Sequence, residues 1–371
     1  MLKRLEVTNY KGFKNKMIWD LSIGKFSSKN YNSSLIKEKL PKLSTIYGGN
    51  GSGKSSLCTA IVDITNQLLD TEKDTTSTYL YTYIGTDNPI AEFKYVFQFG
   101  KDIVIYNYKK TSPLELTFES LILNEKEVIR HDFLNEKDNF ISLKGAENLR
   151  TNGLKNQLSV IKYIYNNTIL GDDSIVVKLI KYVSGMLYFR SMQDGNQFIG
   201  YKLGGSNLND IIFKNNKLLE FQQFLNNLGL NYQLVPIRTV SETKIIGVRF
   251  DNGRVVSFLD ISSSGTRTLM LFYCWLLEFH DLTMLVIDEF DAYYHFEVAL
   301  AIMRLINGFE NLQAVVTTHN VTLLSSDMTR PDCAFIIDEK GTISLANRSE
   351  KPIRKNNSIE KIYREGGFNK K

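Results

Sequence analysis

Residues 92–124 alternate apolar and polar side chains with a period of two, in "EFKYVFQFG", "DIVIYNYKK" and "LELTFESLIL". Gly and Pro punctuate the three runs, so the pattern predicts antiparallel strands with one buried face. The opening "LKRLEVTNY" alternates in the same way, with Leu2, Leu5 and Val7 on one side. Three other runs are short with apolar centres: "LSTIYG", "TMLVID" and "LQAVVTTH". Such runs predict strands covered on both faces. Helical spacing appears in "SLCTAIVDITNQLLD" through Leu57, Ile61, Ile64 and Leu68, and again in "TRTLMLFYCWLLEF" and "FEVALAIMRLI". From about 154 to 228 the texture is helical. "DDSIVVKLIKYVSGMLYF" offers Asp173 or Ser174 as N-cap, and "NNKLLEFQQFLNNLGL" places Leu218, Leu219, Phe221, Leu225 and Leu228 near one face. Strands return in "NYQLVPIRTV", "TKIIGVRF" and "RVVSFL", the last two joined by a tight Asp251-Asn252-Gly253 turn. No heptad is sustained, which argues against a long coiled coil.

The 371 residues are enough for two or three lobes. A formal charge of +5 permits contact with nucleic acid without arguing for it, because the one basic cluster is the tail "KPIRKNNSIEKIYREGGFNKK", which reads as a solvated end. Cys58, Cys274 and Cys333 lack paired spacing and fit a reducing compartment. No apolar run reaches the length of a membrane span and no secretory leader opens the chain, so the expectation is a cytoplasmic protein with no membrane partner.

Four stretches carry chemistry. "GGNGSGKSS" runs Gly48, Gly49, Asn50, Gly51, Ser52, Gly53, Lys54, Ser55, Ser56 between a predicted strand and a predicted helix. Glycines allow the backbone amides to wrap a polyphosphate and the helix N-terminus adds positive dipole. Lys54 is placed to reach the β- and γ-phosphates of ATP, and the Ser55 hydroxyl to ligate Mg²⁺. In "TMLVIDEFDAYYH" a buried strand ends in Asp288, suited to the magnesium shell, and Glu289, suited to polarise an attacking water. The two motifs lie 234 residues apart (288 − 54), and there is no Asn-Lys-x-Asp base-reading motif, so a compact switch GTPase is disfavoured. Thr317-Thr318-His319-Asn320 tip the next strand, where His319 can meet the γ-phosphate. "DISSSGTRTLML" sets Ser263-Ser264-Gly265-Thr266 before a helix, either a simple N-cap or a second anion site.

In this order the four stretches resemble the ATP-binding cassette class, in its SMC- and RecF-like branch. "LEVTNYKGF" resembles the opening strand of that branch. "SSSGT" is similar to the class signature Leu-Ser-Gly-Gly-Gln, with Ser262 at the Leu, Ser263 at the Ser, Ser264 and Gly265 at the glycines and Thr266 at the Gln. "DEFDAYYH" is similar to the Walker B and D-loop block, with Asp291 and His295 at D-loop positions. The "SSGT" form and the ending "IRKNNSIEKIYREGGF" resemble stand-alone AbiL-like and RloA-like ATPases of phage-defence and abortive-infection operons. The signature departs from the class pattern at its Leu and first glycine. No Q-loop glutamine is evident; Gln157 is the candidate for that magnesium-binding role, ahead of Gln98 inside a strand. No Asp-x-Asp cluster follows His319, so an intrinsic nuclease is not expected.

The resemblance implies an α/β P-loop fold, an ABC-type ATPase head with a mixed sheet. Its expected parts are an ATP-binding, strand-rich lobe over residues 1–150, an inserted helical lobe over 151–229 and a lobe over 230–371 holding signature, Walker B, D-loop and His319. It also implies a homodimer with two ATP molecules sandwiched between heads. There Lys54, Ser55, Asp288, Glu289 and His319 of one copy face Ser263 and Gly265 of the other. The function expected is an ATPase that senses infection and governs a separate effector, with a DNA-binding repair ATPase as the alternative.

Overall fold

In the computed structural model the described residues are 1–23, 31–69, 80–190, 198–200, 207–239, 242–277, 281–292, 295–338, 341–349, 353 and 357–368. The masked stretches include parts of the expected D-loop (293–294) and of the basic tail (351–352, 354–356 and 369–371), which therefore lie outside the described residues.

The chain opens with β1 (Leu2–Thr8), β2 (Met17–Asp20), the ribbon β3 (Ile36–Lys37) and β4 (Leu40–Pro41), and then β5 (Leu43–Tyr47), which runs into α1 (Lys54–Leu68). Antiparallel strands β6 (Ala91–Phe99), β7 (Asp102–Lys110), β8 (Leu116–Leu123), β9 (Lys126–Asp132) and β10 (Phe140–Ile141) follow. After α2 (Val160–Asn167) and α3 (Ile175–Ser184) come β11 (Met186–Arg190), β12 (Phe198–Gly200), α4 (Leu208–Lys214) and α5 (Leu218–Asn227). A separate three-stranded sheet, β13 (Leu234–Arg238), β14 (Lys244–Arg249) and β15 (Val255–Ser257), leads into α6 (Phe258–Ile261) and α7 (Ser264–Leu276). The chain then alternates β16 (Met284–Asp288), α8 (Phe296–Gly308), β17 (Gln313–Thr318), β18 (Ala334–Asp338), β19 (Gly341–Ser344), α9 (Leu345–Arg348) and α10 (Ile359–Arg364).

Fourteen strands form one mixed sheet, in the order β10-β9-β8-β7-β6-β1-β2-β19-β18-β5-β17-β16-β11-β12. Its centre, β18-β5-β17-β16-β11, is parallel. Strands β5, β16 and β17 are buried at every residue, which is why they lack the polar alternation of a half-exposed strand. Successive side chains of β16 point to opposite faces. Met284 and Val286 join the core that also holds α1, α2 and α3, whereas Leu285 and Ile287 join the core of α4, α5, α7 and α8. The sheet is thus the middle of three layers, with α1 and α7 on opposite faces.

The strands β6–β8 turn an aromatic inner face onto α1. Phe93, Tyr95 and Phe97 stack at 6.4 and 6.0 Å between ring centres. The Tyr95 hydroxyl donates to the Ala60 carbonyl at 2.6 Å. The Tyr108 hydroxyl donates to buried Asp63 at 2.7 Å, and fully buried Lys110 pairs with the same carboxylate at 3.1 Å. The helix that begins at the glycine loop is therefore bolted to the strand-rich part by hydrogen bonds as well as by packing.

Residues 151–229 do not form a lobe of helices alone. Helices α2 and α3 belong to the α1 layer, and Met186–Arg190 is a strand of the main sheet, parallel to β16. An apolar run of this length fits helix or strand equally, and Gly185 decides it. A Cβ there would stand 2.7 Å from the Asp281 carbonyl, so glycine permits the sharp exit from α3 into β11. In α5 the buried positions are Phe221, Phe224 and Leu225, while Leu219 is 63% exposed, one residue round the helix from the face expected for it.

Candidate functional site

Strand β5 ends at buried Tyr47 and α1 begins at Lys54, so residues 48–53 form the loop between a parallel strand and a helix N-terminus. Gly51 (φ +74°) and Gly53 (φ +100°) hold left-handed backbone that side chains resist. Gly48 is needed for space, since a Cβ there would lie 2.8 Å from the Ile337 carbonyl and 2.5 Å from Ser52 Oγ. Gly49, Asn50 and Gly51 are exposed, and nothing lies within 4 Å of a Cβ built on Gly49 or Gly51, which leaves an open backbone cradle. The turn at 10–13 backs this loop. A Cβ on Gly12 would meet Ser56 Oγ at 3.2 Å, and one on Gly53 would meet the Phe13 ring at 2.7 Å.

Lys54 is buried, and its ammonium donates to the Gly48 and Gly49 carbonyls, both at 2.9 Å. Burial lowers its pKa, while the nearby charges of Asp288 and Glu289 oppose that shift. The phosphate-loop lysine and the acidic pair thus belong to one electrostatic unit. Ser55 and Ser56 follow in the first turn of α1, half-buried.

Asp288 is fully buried at the tip of β16. Parallel register pairs Ile287 with Val316, which brings Thr317 of β17 beside Asp288. The Thr317 hydroxyl donates to Asp288 Oδ1 at 2.6 Å and accepts the Glu289 amide at 2.8 Å, while the Phe290 amide donates to the Thr317 carbonyl at 3.0 Å. Glu289 has φ +54°, a conformation unusual for glutamate and held here by that amide bond. One threonine therefore orients both acidic residues. Its role lies outside what the motif itself displays, because it depends on strand register. Cys58 of α1 is also close, its sulfur 3.9 Å from Asp288 Oδ1.

His319 is exposed just past β17, between buried Thr318 and Asn320. The Asn320 amide donates to the Thr318 hydroxyl at 2.9 Å, and the Asn320 side chain accepts the Thr322 amide at 3.1 Å, so the backbone around His319 is fixed while its ring faces solvent. Asp291 is half-buried near Tyr47, whose hydroxyl is pushed up chiefly by burial, with a smaller push from that charge.

Ser263 and Ser264 stand exposed at the start of α7, while Gly265 and Thr266 are buried. Ser263 is the N-cap, accepting the Thr266 amide at 3.2 Å, and Ser262 turns inward to donate to the Phe258 carbonyl at 2.5 Å. With α1 on one face of the sheet and α7 on the other, these exposed serines belong to the layer opposite the helix that follows their own phosphate loop.

Gln157 does not join the site. It is exposed in the turn before α2, and Lys162 of α2 donates to the Leu69 carbonyl at 3.0 Å, at the far end of α1. The 15 residues of α1 separate that end from the phosphate loop by about 22 Å. Gln98 is no nearer. Its amide donates to the Met1 carbonyl at 2.8 Å, and neighbouring Leu2 is tied to Gln313, the first residue of β17 and so the end opposite His319.

The residues present fit MgATP: amides and a lysine for phosphates, a serine hydroxyl and a buried carboxylate as hard oxygen donors for Mg²⁺. Among the described residues no group of three or more His, Cys, Asp or Glu could hold a metal by itself. Fold and site define a P-loop ATPase.

The family described as "AAA domain, putative AbiEii toxin, Type IV TA system" matches residues 43–325, and the chain belongs to that family. Among solved structures it is similar to the SMC head domain from Thermotoga maritima, with a TM-score of 0.45 and 15% identity over 92% of this chain and 98% of that one. It is also similar to the Smc head domain of Pyrococcus furiosus bound to the C-terminal domain of ScpA (0.43, 13%, covering 93% and 97%). A third is the recombination mediator RecF with ATP (0.39, 14%, covering 93% and 99%). No curated protein matches. Among the described residues no helix is long and apolar enough to cross a membrane.

Proposed function

We propose that the chain is an ATP-gated switch that closes as a pair and governs a separate effector protein in defence against phage. The supporting observation is the division of the machinery between the two faces of the sheet. Lys54, Asp288 and Glu289 converge at one end of the parallel strands, whereas exposed Ser263 and Ser264 project from α7 on the opposite layer. A second copy can bring its α7 N-terminus to the phosphates held by the first, and the symmetric contact supplies the other pocket.

In this reading the glycine loop and Lys54 bind the ATP phosphates, and Ser55 and Asp288 hold Mg²⁺, which neutralises phosphate charge when bound. Glu289 accepts the proton of the attacking water, His319 hydrogen-bonds the γ-phosphate, and Ser263 with Gly265 of the second copy closes the pocket. Asp291 lines the seam between copies. Phosphoryl transfer needs positioning and charge stabilisation and no protein nucleophile. Loss of the γ-phosphate removes the contacts that hold the pair, which reopens it.

The defence role is supported by the family description, which links this domain to a toxin–antitoxin system. A DNA-clamp role would need a surface of unpaired cations. The outer face of β1, β6, β7 and β9 is instead mixed in sign: Lys109 pairs with Glu92, Arg130 with Glu127, and Arg4, Lys16 and Lys94 all approach Glu6. The test is co-purification with the product of the adjacent gene, with and without ATP. ATP-dependent association supports the switch. Absence of association under both conditions refutes the effector role.

A further inference from the structure

On the layer of α7 lies an open groove of 410 Å³ between the α4–α5 turn and the β13–β14 hairpin. It is lined by Phe213, Leu218, Leu219 and Pro236 together with Arg238 and Lys244. These two cations are directly opposite each other in the β13–β14 register and both are exposed. Like charges in that arrangement repel. No carboxylate among the described residues lies within ion-pairing distance of either, although nearby Lys217 has Glu220 at 2.9 Å. A hairpin that keeps two facing cations beside an exposed leucine presents a site for something both acidic and apolar.

We propose that this groove docks a short peptide segment of a partner protein in which carboxylates alternate with bulky apolar side chains. The carboxylates meet the Arg238 fork and the Lys244 ammonium, and the apolar side chains cover Leu219 and Pro236. Pro236 leaves the outer edge of β13 without one amide donor, and the Leu234 amide is already taken by Gln222 at 2.6 Å. The segment is therefore held by its side chains rather than added as a further strand. Because α4 and α5 pack against α7, the occupant rests on the same lobe as Ser263 and Ser264. This inference rests on the reading that a separate protein partner exists, and it gives that partner's contact its chemistry.

The test is fluorescence anisotropy on the full chain with a labelled hexapeptide of alternating aspartate and leucine. Controls are an alternating lysine–leucine peptide, an all-aspartate peptide and a single-stranded oligonucleotide. The aspartate–leucine peptide is expected to bind saturably, and the all-aspartate peptide at least tenfold more weakly. The double variant Arg238→Glu, Lys244→Glu should weaken the first peptide at least tenfold and favour the lysine–leucine peptide. Leu219→Asp should weaken it without that reversal. Absence of saturable binding, indifference to the charge reversal, or preference for the oligonucleotide at this site each overturns the proposal. ATP-driven pairing of the same variants is measured alongside. If pairing is intact and the peptide fails, only the docking site is lost; if pairing itself fails in the unaltered chain, the switch reading falls.

Discussion

Replacing Thr317 by Val keeps the shape of the side chain and removes one hydroxyl, which makes it a sharp probe of how the acidic pair is aimed. That hydroxyl donates to the buried Asp288 carboxylate and accepts the amide that holds Glu289 at φ +54°. A hydrogen bond to a buried charge contributes about 1.5–3 kcal/mol and one to a backbone amide about 0.5–1.5, so the loss is about 2–4 kcal/mol in all. If roughly half of that appears in the transition state, kcat falls about five- to thirtyfold, at about 1.4 kcal/mol per decade. The KM for ATP should change little, because the glycine loop and Lys54 are untouched. The assay is steady-state phosphate release with thermal denaturation on the same samples. Thr317→Ser retains the hydroxyl and should recover most of the rate. A Val variant with unchanged kcat, or a Ser variant as slow as Val, would refute the claim that this hydroxyl orients Glu289.

Gly48→Ala should weaken ATP binding at least tenfold, because its Cβ would press within 2.8 Å of a backbone carbonyl that cannot yield cheaply; isothermal titration checks it. Lys110→Met leaves Asp63 buried without its cation and should cost about 3–5 kcal/mol in chemical denaturation, as breaking a buried pair does. Burial raises the pKa of Glu119 above the ordinary 4.5, against hydrogen bonds from Ser159, Tyr106 and the Val160 amide. The native state therefore holds that proton more tightly than the unfolded chain, and stability falls as pH rises from 4.5 through the native value. Glu119→Gln should lack this slope, seen as a wild-type minus variant difference in denaturation midpoint that shrinks with rising pH.

What could be read from the sequence follows from physical necessity at particular residues. The phosphate loop is legible because Gly51 and Gly53 need left-handed backbone and Gly48 needs space, so few other residues fit. Strands β5, β16 and β17 are legible because they are covered on both faces. Strand β11 is hidden because an apolar run after a helix carries no period that separates it from more helix. The part played by Thr317 is hidden for a different reason. It exists only once two strands are in register, and no spacing along one chain reports that. Gln157 has the right residue type at the wrong end of α1, an error only three-dimensional placement exposes.

The account depends on two copies completing each other's nucleotide pockets, and Glu289→Gln tests that most directly, because it should allow ATP to bind while blocking water activation. Light scattering after gel filtration with MgATP should show this variant as a stable species of doubled mass, reverting to single copies when Ser263→Arg is added to obstruct the α7 N-terminus. A Glu289→Gln protein that binds ATP yet stays a single copy would contradict the account.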